Sequence, residues 1–422
     1  TIAKAQYRQS GVDAYQNSPL ILALPPQLDA MRFKKIMTKQ VTSVEFEHKG
    51  DSERIEDIKE FRKTRIVTTQ HLDLYNEIYE LISHGYVNRN PSRPEVVAWS
   101  YDIADSSIAI ENVERPYESV SDQETTAGAL FVTGFSGGGK STFTGQILMS
   151  AFPMVIEHNW CDFSEPQVVF VKVDMPHDAN RSDLIYNILK EIDRILSFTS
   201  YGTTTYADKC KTRSGNYIRI SLMKEILLTA LNRHHVGLLV IDEFQNLQVA
   251  SERYRREMLQ LMSTLSNLLA VPNLKIGTPD TILLFDSKAS DKRRIGATHE
   301  LTRFGEKDWD RAIKAAFAFQ PVSKPVKPSE GTVNLLKDLT AGIPSIFMAL
   351  WESVLIEAVR SGSEKITQAL IKRVFKQRFP MLRSVTRNIN QGIKGRHADL
   401  LTVQQYLDSG NKALALKHLQ YF

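Results

Sequence analysis

A chain that runs Ala129-Leu-Phe-Val-Thr133, then Gly134-Phe-Ser-Gly-Gly-Gly139-Lys140-Ser141-Thr142, then Phe143-Thr-Gly-Gln-Ile-Leu-Met-Ser150 has few folds open to it. The apolar run reads as a buried strand, the glycines force a turn, and the third stretch has helical spacing. Strand, GxxxxGK[ST] turn and helix in that order form a phosphate-binding P-loop, which belongs in an α/β fold with a parallel sheet flanked by helices. Gly134, Gly137, Gly138 and Gly139 let the backbone bend until several N–H groups, that of Ser136 among them, face one anion. The helix then begins beneath the phosphates with its positive dipole end toward them. Lys140 reaches the β- and γ-phosphates, the Ser141 hydroxyl holds Mg²⁺, and Thr142 completes the cradle. ATP and Mg²⁺ are therefore the expected ligands.

About a hundred residues later, Gly237-Leu-Leu-Val-Ile-Asp242-Glu243 is a second buried strand, ending in two acids. In an open α/β sheet the carboxyl ends of the strands gather at the ligand. Asp242 is thus placed to bind Mg²⁺, directly or through water, and Glu243 to orient or deprotonate the attacking water. Two acids there are costly without a cation to face. Between these strands, Gln167-Val-Val-Phe-Val-Lys-Val-Asp174 reads as a central strand, and Asn180 to Leu196 as an amphipathic helix with Ser182 as its N-cap. A loop of hydroxyls, bases and tyrosines spans Ser200 to Gly215, followed by a helix over Tyr217 to Arg233. Tyr254 to Ala270 is a further amphipathic helix, and Leu274-Lys-Ile-Gly-Thr278 a strand ending in a hydroxyl. Lys292-Arg293-Arg294 follows, with Arg303 beyond; it is either a solvated basic turn or the source of a phosphate-stabilising arginine acting in trans, Arg293 or Arg294.

The flanks differ from this core. Residues 1 to 64 form an N-terminal arm and connector. Pro25-Pro26 forbids a helix through that point, and Glu45 to Lys63 alternates charges like a solvated connector or helix. A helix runs from Thr68 and stops at Gly85, and Gly85 to Pro91 is a loop. The nucleotide-binding core spans 65 to 305. From there helices dominate to residue 400 (Trp309 to Phe319, Gly331 to Thr340, Ile343 to Arg360, Ile366 to Phe379), a small helical lid, and 401 to 422 is one short terminal helix.

Composition narrows the partners. No apolar run approaches the roughly twenty residues a membrane span needs. The two cysteines, Cys161 and Cys210, lack metal-ligand spacing and suit a reducing cytoplasm. The net charge of +5 is only mildly basic, but Arg360 to Arg396 holds ten Lys or Arg against one acid, Glu364. That is either a solvated helix face or a surface for DNA or an acidic partner.

P-loop, acidic strand end, hydroxyl-ended strand, arginine cluster and helical lid, in that order over roughly Ile66 to Phe379, resemble an AAA+ ATPase. Gly237 to Glu243 and Ile276-Gly-Thr-Pro279 resemble the transposition regulators of the TnsC/TniB/MuB group. Tyr7-Arg-Gln-Ser-Gly-Val-Asp-Ala-Tyr15, Leu22-Ala-Leu-Pro-Pro26 and Gly85-Tyr-Val-Asn-Arg-Asn-Pro91 are similar to the TnsC regulators of Tns cut-and-paste and CRISPR-associated transposons. The resemblance implies that Thr278 senses the γ-phosphate and that Arg65 to His71 covers the adenine. It implies a homo-oligomeric ring or filament on double-stranded DNA, with Arg181, Ser182 and Thr203 touching the DNA backbone. It also implies a target selector of the TnsD/TniQ type docking on the arm, and recruitment of a transposase of the TnsA/TnsB type. One departure is Gly342-Ile-Pro-Ser345, which offers serine where AAA+ lids usually carry an arginine.

A different class remains open: a nucleotide-switched signalling ATPase that assembles on protein partners without DNA. A small-molecule kinase fits less well, since no acceptor-site signature is present and the lid follows the core.

Overall fold

The computed structural model describes residues 1–41, 45–104, 128–135, 137–159, 165–285 and 296–391. The chain opens with strand β1 (Ile2–Lys4), short helices α1 (Pro19–Leu22) and α2 (Ala30–Met37), then α3 (Asp51–Lys59), α4 (Thr69–Val87) and α5 (Pro94–Ala104). The sheet region follows as β2 (Ala129–Gly134), α6 (Lys140–Ala151), β3 (Val155–Glu157), β4 (Gln167–Val168), β5 (Phe170–Asp174), α7 (Arg181–Leu196), α8 (Tyr206–Lys209) and α9 (Ile220–Arg233). It continues through β6 (Leu238–Asp242), α10 (Asn246–Val249), α11 (Glu252–Leu269), β7 (Asn273–Ile276) and β8 (Ala297–Leu301). Helices α12 (Glu306–Ala318), α13 (Glu330–Thr340), α14 (Pro344–Arg360), α15 (Gln368–Arg378) and α16 (Leu382–Asn390) complete the described chain.

Five strands form one all-parallel sheet in the order β5-β6-β7-β2-β8. All of β6 and nearly all of β2 are buried, because a parallel sheet between two helical layers needs apolar residues on both faces. Val171, Val173, Leu239 and Ile241 point to one face and pack with α7, α9 and α11. Val132, Leu238, Val240 and Leu274 point to the other, against α4, α6 and the arm residues Leu20, Leu24 and Phe33. The arm is fixed to the core in a second way: β1 pairs with β3 in a small sheet of its own, completed by β4.

Several boundaries differ from those read in the sequence. The stretch Gln167 to Asp174 divides between the two sheets, and its second part, β5, lies at the edge of the large sheet rather than its centre. Apolar content reports burial but not position within a sheet. Helix α4 does not stop at Gly85 but runs to Val87. Gly85 is there for contact: a Cβ would sit 2.2 Å from Cγ of Pro272. The N-cap of α7 is Asn180, whose side chain accepts from the Ser182 amide, so Ser182 is the second residue of the helix rather than its cap.

The connector is not merely solvated. Ile58 and Phe61 are fully buried in the core of the lid, where Phe61 stacks on Phe319 with ring centroids 5.6 Å apart. Arg54 locks it in place with a bidentate grip on Glu364, at 2.9 and 2.7 Å, and donates to the Pro321 carbonyl. Glu364, the lone acid of the basic stretch, is thereby spent on an internal pair. Among the described residues no helix is long and apolar enough to cross a membrane.

Candidate nucleotide site

Strands β5, β6, β7 and β2 all deliver their carboxyl ends to one edge of the sheet, and β7 lies between the P-loop strand β2 and the acidic strand β6. The segment leaving β7 therefore emerges between Lys140 and Asp242. The P-loop turn uses left-handed backbone at Gly137 (φ +80°) and Gly139 (φ +89°), which side chains with a Cβ adopt only with strain. The Gly138 amide donates to the Phe135 carbonyl at 2.8 Å and closes the turn. The Lys140 ammonium donates back to the carbonyls of Gly134 (2.8 Å) and Phe135 (3.1 Å), holding a positive charge over the loop. Ser136 lies outside the described residues.

Ser141, in the first turn of α6, donates its hydroxyl to Oδ1 of Asp242 at 2.8 Å. The same oxygen accepts the Glu243 amide at 2.9 Å. Oδ2 of Asp242 lies 2.8 Å from Nζ of Lys172 on β5, in a pair whose carboxylate side chain is only 5% exposed. Glu243 takes a left-handed conformation (φ +53°), unusual for a residue other than glycine. Its carboxylate accepts from the Gln245 amide. Thr278 is partly buried, its hydroxyl 3.3 Å from that of Thr281.

Beside the P-loop is a cavity of about 340 Å³. Its walls come from four places: Gly137, Gly138, Gly139, Thr142 and Phe143 of the P-loop; residues between Arg62 and His71, from the end of the connector into α4; Leu301, Thr302 and Phe304 at the end of β8; and residues between Pro344 and Glu352 of α14. Of the segment Arg65 to His71, expected to cover the adenine, Arg65, Ile66, Thr68, Gln70 and His71 line this cavity. Ser345 is packed on the loop, its amide 3.3 Å from the Gly137 carbonyl, and a Cβ on Gly137 would meet its hydroxyl at 2.1 Å. Deep in this wall, Glu352 is 4% exposed and grips Arg62 at 2.5 and 2.9 Å.

The donor set suits Mg²⁺. Ser141 and Asp242 offer hard oxygens side by side, and among the described residues no cluster of three or more His, Cys, Asp or Glu could cage a metal. Mg²⁺ is ordinarily held by one or two protein oxygens together with substrate phosphates and water, which is what this edge provides.

The residues singled out for DNA are not gathered at one point. Arg181 and Ser182 begin α7, whereas Thr203 follows its far end, in a loop tied by Tyr206 and Ala207 amides to Asp193. Asp193 is twelve steps along the helix from Arg181, roughly 18 Å. Thr203 is exposed, and the Arg181 guanidinium lies 2.7 Å from Glu257 of α11. Arg293 and Arg294 lie outside the described residues. Lys172, Gln245 and Glu352 were missed by sequence reasoning. Only Lys172 carried a signal: a lone cation inside the apolar run Phe170-Val-Lys-Val-Asp174.

Residues 123–283 match the profile of the AAA domain. No curated protein matches the chain. Among solved structures, the Walker-type ATPase of Pyrococcus abyssi aligns with 14% identity over 78% of this chain and 89% of its own, at a TM-score of 0.40. RuvB of Thermotoga maritima aligns with 14% identity over 70% and 88%, at 0.34. Drosophila ORC bound to DNA aligns with 10% identity over 67% and 66%, at 0.36. The segment that matches the AAA domain thus contributes the P-loop and four of the five strands of the parallel sheet, and a helical region follows it.

Proposed function

We propose that this chain is an ATP-hydrolysing regulator of transposition, of the TnsC type, which oligomerises on double-stranded DNA and links a target selector to a transposase. The observation that carries the ATPase part is the Ser141 hydroxyl donating to Asp242 at 2.8 Å, directly below the P-loop. Lys140 and the loop amides bind and orient the triphosphate; Ser141 and Asp242 hold Mg²⁺, which when bound neutralises the phosphate charge. Glu243 takes the proton of the attacking water, Thr278 contacts the γ-phosphate from between the two strands, and Arg293 or Arg294 completes the site of a neighbouring subunit. Walls from core, connector and lid around one cavity give the nucleotide a way to set the lid against the core, and hence the fit between subunits. The transposition part is supported by the resemblance of the arm and of Gly85 to Pro91 to TnsC regulators.

Electron micrographs with random duplex DNA and a slowly hydrolysed ATP analogue test the whole reading. Rings or filaments that fall apart with ADP are expected. Monomers under both conditions exclude it. A second reading, a signalling ATPase that assembles on protein partners, is favoured by one observation, the engagement of Arg181 with Glu257. Absence of duplex binding at low salt would decide for it, because backbone binding is strongest there.

A further inference from the structure

Lysine within an apolar strand is uncommon, and on the edge strand β5 the 31%-exposed Lys172 is aimed at Asp242, at the end of the neighbouring strand. Lys172 stands in register with Val240 and Asp174 with Asp242. All four share one face of the sheet, the face covered by the P-loop helix α6. The Lys172 side chain leans one step along that face and places its ammonium 2.8 Å from Oδ2 of Asp242. Oδ1 is already occupied by the Ser141 hydroxyl and the Glu243 amide. Both oxygens of a carboxylate only 5% exposed are thus satisfied by this chain's own donors.

We propose that Lys172 is a built-in stand-in for the metal's charge: a positioning residue that neutralises Asp242 while no cation is bound and thereby sets how much Mg²⁺ the nucleotide site requires. The inference rests on the nucleotide-site reading above. A buried carboxylate without a counter-charge is strongly unfavourable, so Lys172 lets the acidic strand end stay folded and aligned before loading. Once Mg²⁺ binds beside Asp242, two cations compete for one carboxylate, and Lys172 weakens the metal by repulsion. The two effects are linked. Whatever Lys172 contributes to the empty protein more than to the loaded one must appear as weaker Mg²⁺ binding.

The test is thermal unfolding and Mg²⁺ titration of the full chain and of Lys172→Met and Lys172→Arg, at a fixed concentration of a slowly hydrolysed ATP analogue. Lys172→Met should melt several degrees lower than the wild type without Mg²⁺, and the gap should close when metal and analogue are present. Its half-saturating Mg²⁺ should fall about tenfold, while Lys172→Arg, which keeps the charge, stays near the wild type. An equal loss of melting temperature with and without metal, at unchanged half-saturating Mg²⁺, would mean that Lys172 is only a structural ion-pair partner and overturns the proposal. If Lys172→Met does not fold, Lys172→Met with Asp242→Asn should, because the neutral amide no longer needs an ammonium; failure of that double variant also overturns it. A wild type that shows no metal-dependent shift with the analogue sinks the nucleotide-site reading itself, a different and distinguishable result.

Discussion

The imidazole of His71 lies face to face with the ring of Phe143, their centroids 3.6 Å apart and their planes 13° from parallel. The pair joins the first turn of α4 to the first turn of the P-loop helix, and both rings line the cavity. Nδ1 of His71 accepts the Thr68 amide at 3.0 Å, so a neutral ring carries its proton on Nε2. Replacing His71 by alanine removes both the stack and the cap. Affinity for a fluorescent ATP analogue should drop about tenfold, with a stability loss of about 1–2 kcal/mol. Unchanged affinity in a destabilised variant would reduce the stack to packing.

Acid should weaken the fold in a specific window. Burial, with the nearby charges of His299 and Arg311, lowers the His71 pKa to about 3. Burial, with Arg233, does the same to His234, also to about 3. Below the ordinary histidine value of 6.5 the unfolded chain takes up protons that the folded chain refuses, so stability is full above 6.5 and falls between 6.5 and 3. At pH 5 each ring should account for about 2 kcal/mol of lost stability. Denaturant titrations at pH 7.5 and 5 read this directly, and a double variant with both histidines replaced by Gln should show a shallower decline.

Glu243 and Lys140 should separate hydrolysis from binding. Glu243→Gln is expected to lower turnover by about a hundredfold or more while retaining the nucleotide, and so to trap oligomers on DNA. Lys140→Ala should lose the nucleotide itself. Since Gln245 holds the Glu243 carboxylate, Gln245→Ala should raise rather than lower the rate of an isolated protomer. Phosphate-release assays alongside binding isotherms distinguish the three, and a slower Gln245→Ala would show that the amide positions Glu243 instead of restraining it.

The lid's attachment rests on Arg54, whose side chain is 8% exposed against 17% for Glu364. Arg54→Met should destabilise the protein by about 3 kcal/mol, because the carboxylate left behind is partly buried and unpaired. Adding Glu364→Gln should recover a good part of that loss. Additive losses in this double-mutant cycle would deny the coupling.

How much of this was legible in the residues follows a physical rule. Local chemistry wrote the P-loop, because glycines, lysine and serine at fixed spacing have one geometry in common, and it wrote the lid helices, whose apolar period matches their observed bounds to within a few residues. It also wrote the buried strand that ends at Asp242, because an uninterrupted apolar run of that length suits a strand covered on both faces. The short strand β8 went unread, because Ala-Thr-His-Glu-Leu has no strong pattern and pairs only when β2 is already in place. Contacts between distant segments belonged to the tertiary structure alone: Lys172 on Asp242, Glu352 on Arg62, Ser345 on Gly137, Arg54 on Glu364. Each joins residues at least 70 positions apart, and their pairing depends on which strand lies next to which and on where the lid closes. Spacing along a chain carries no record of that; packing decides it.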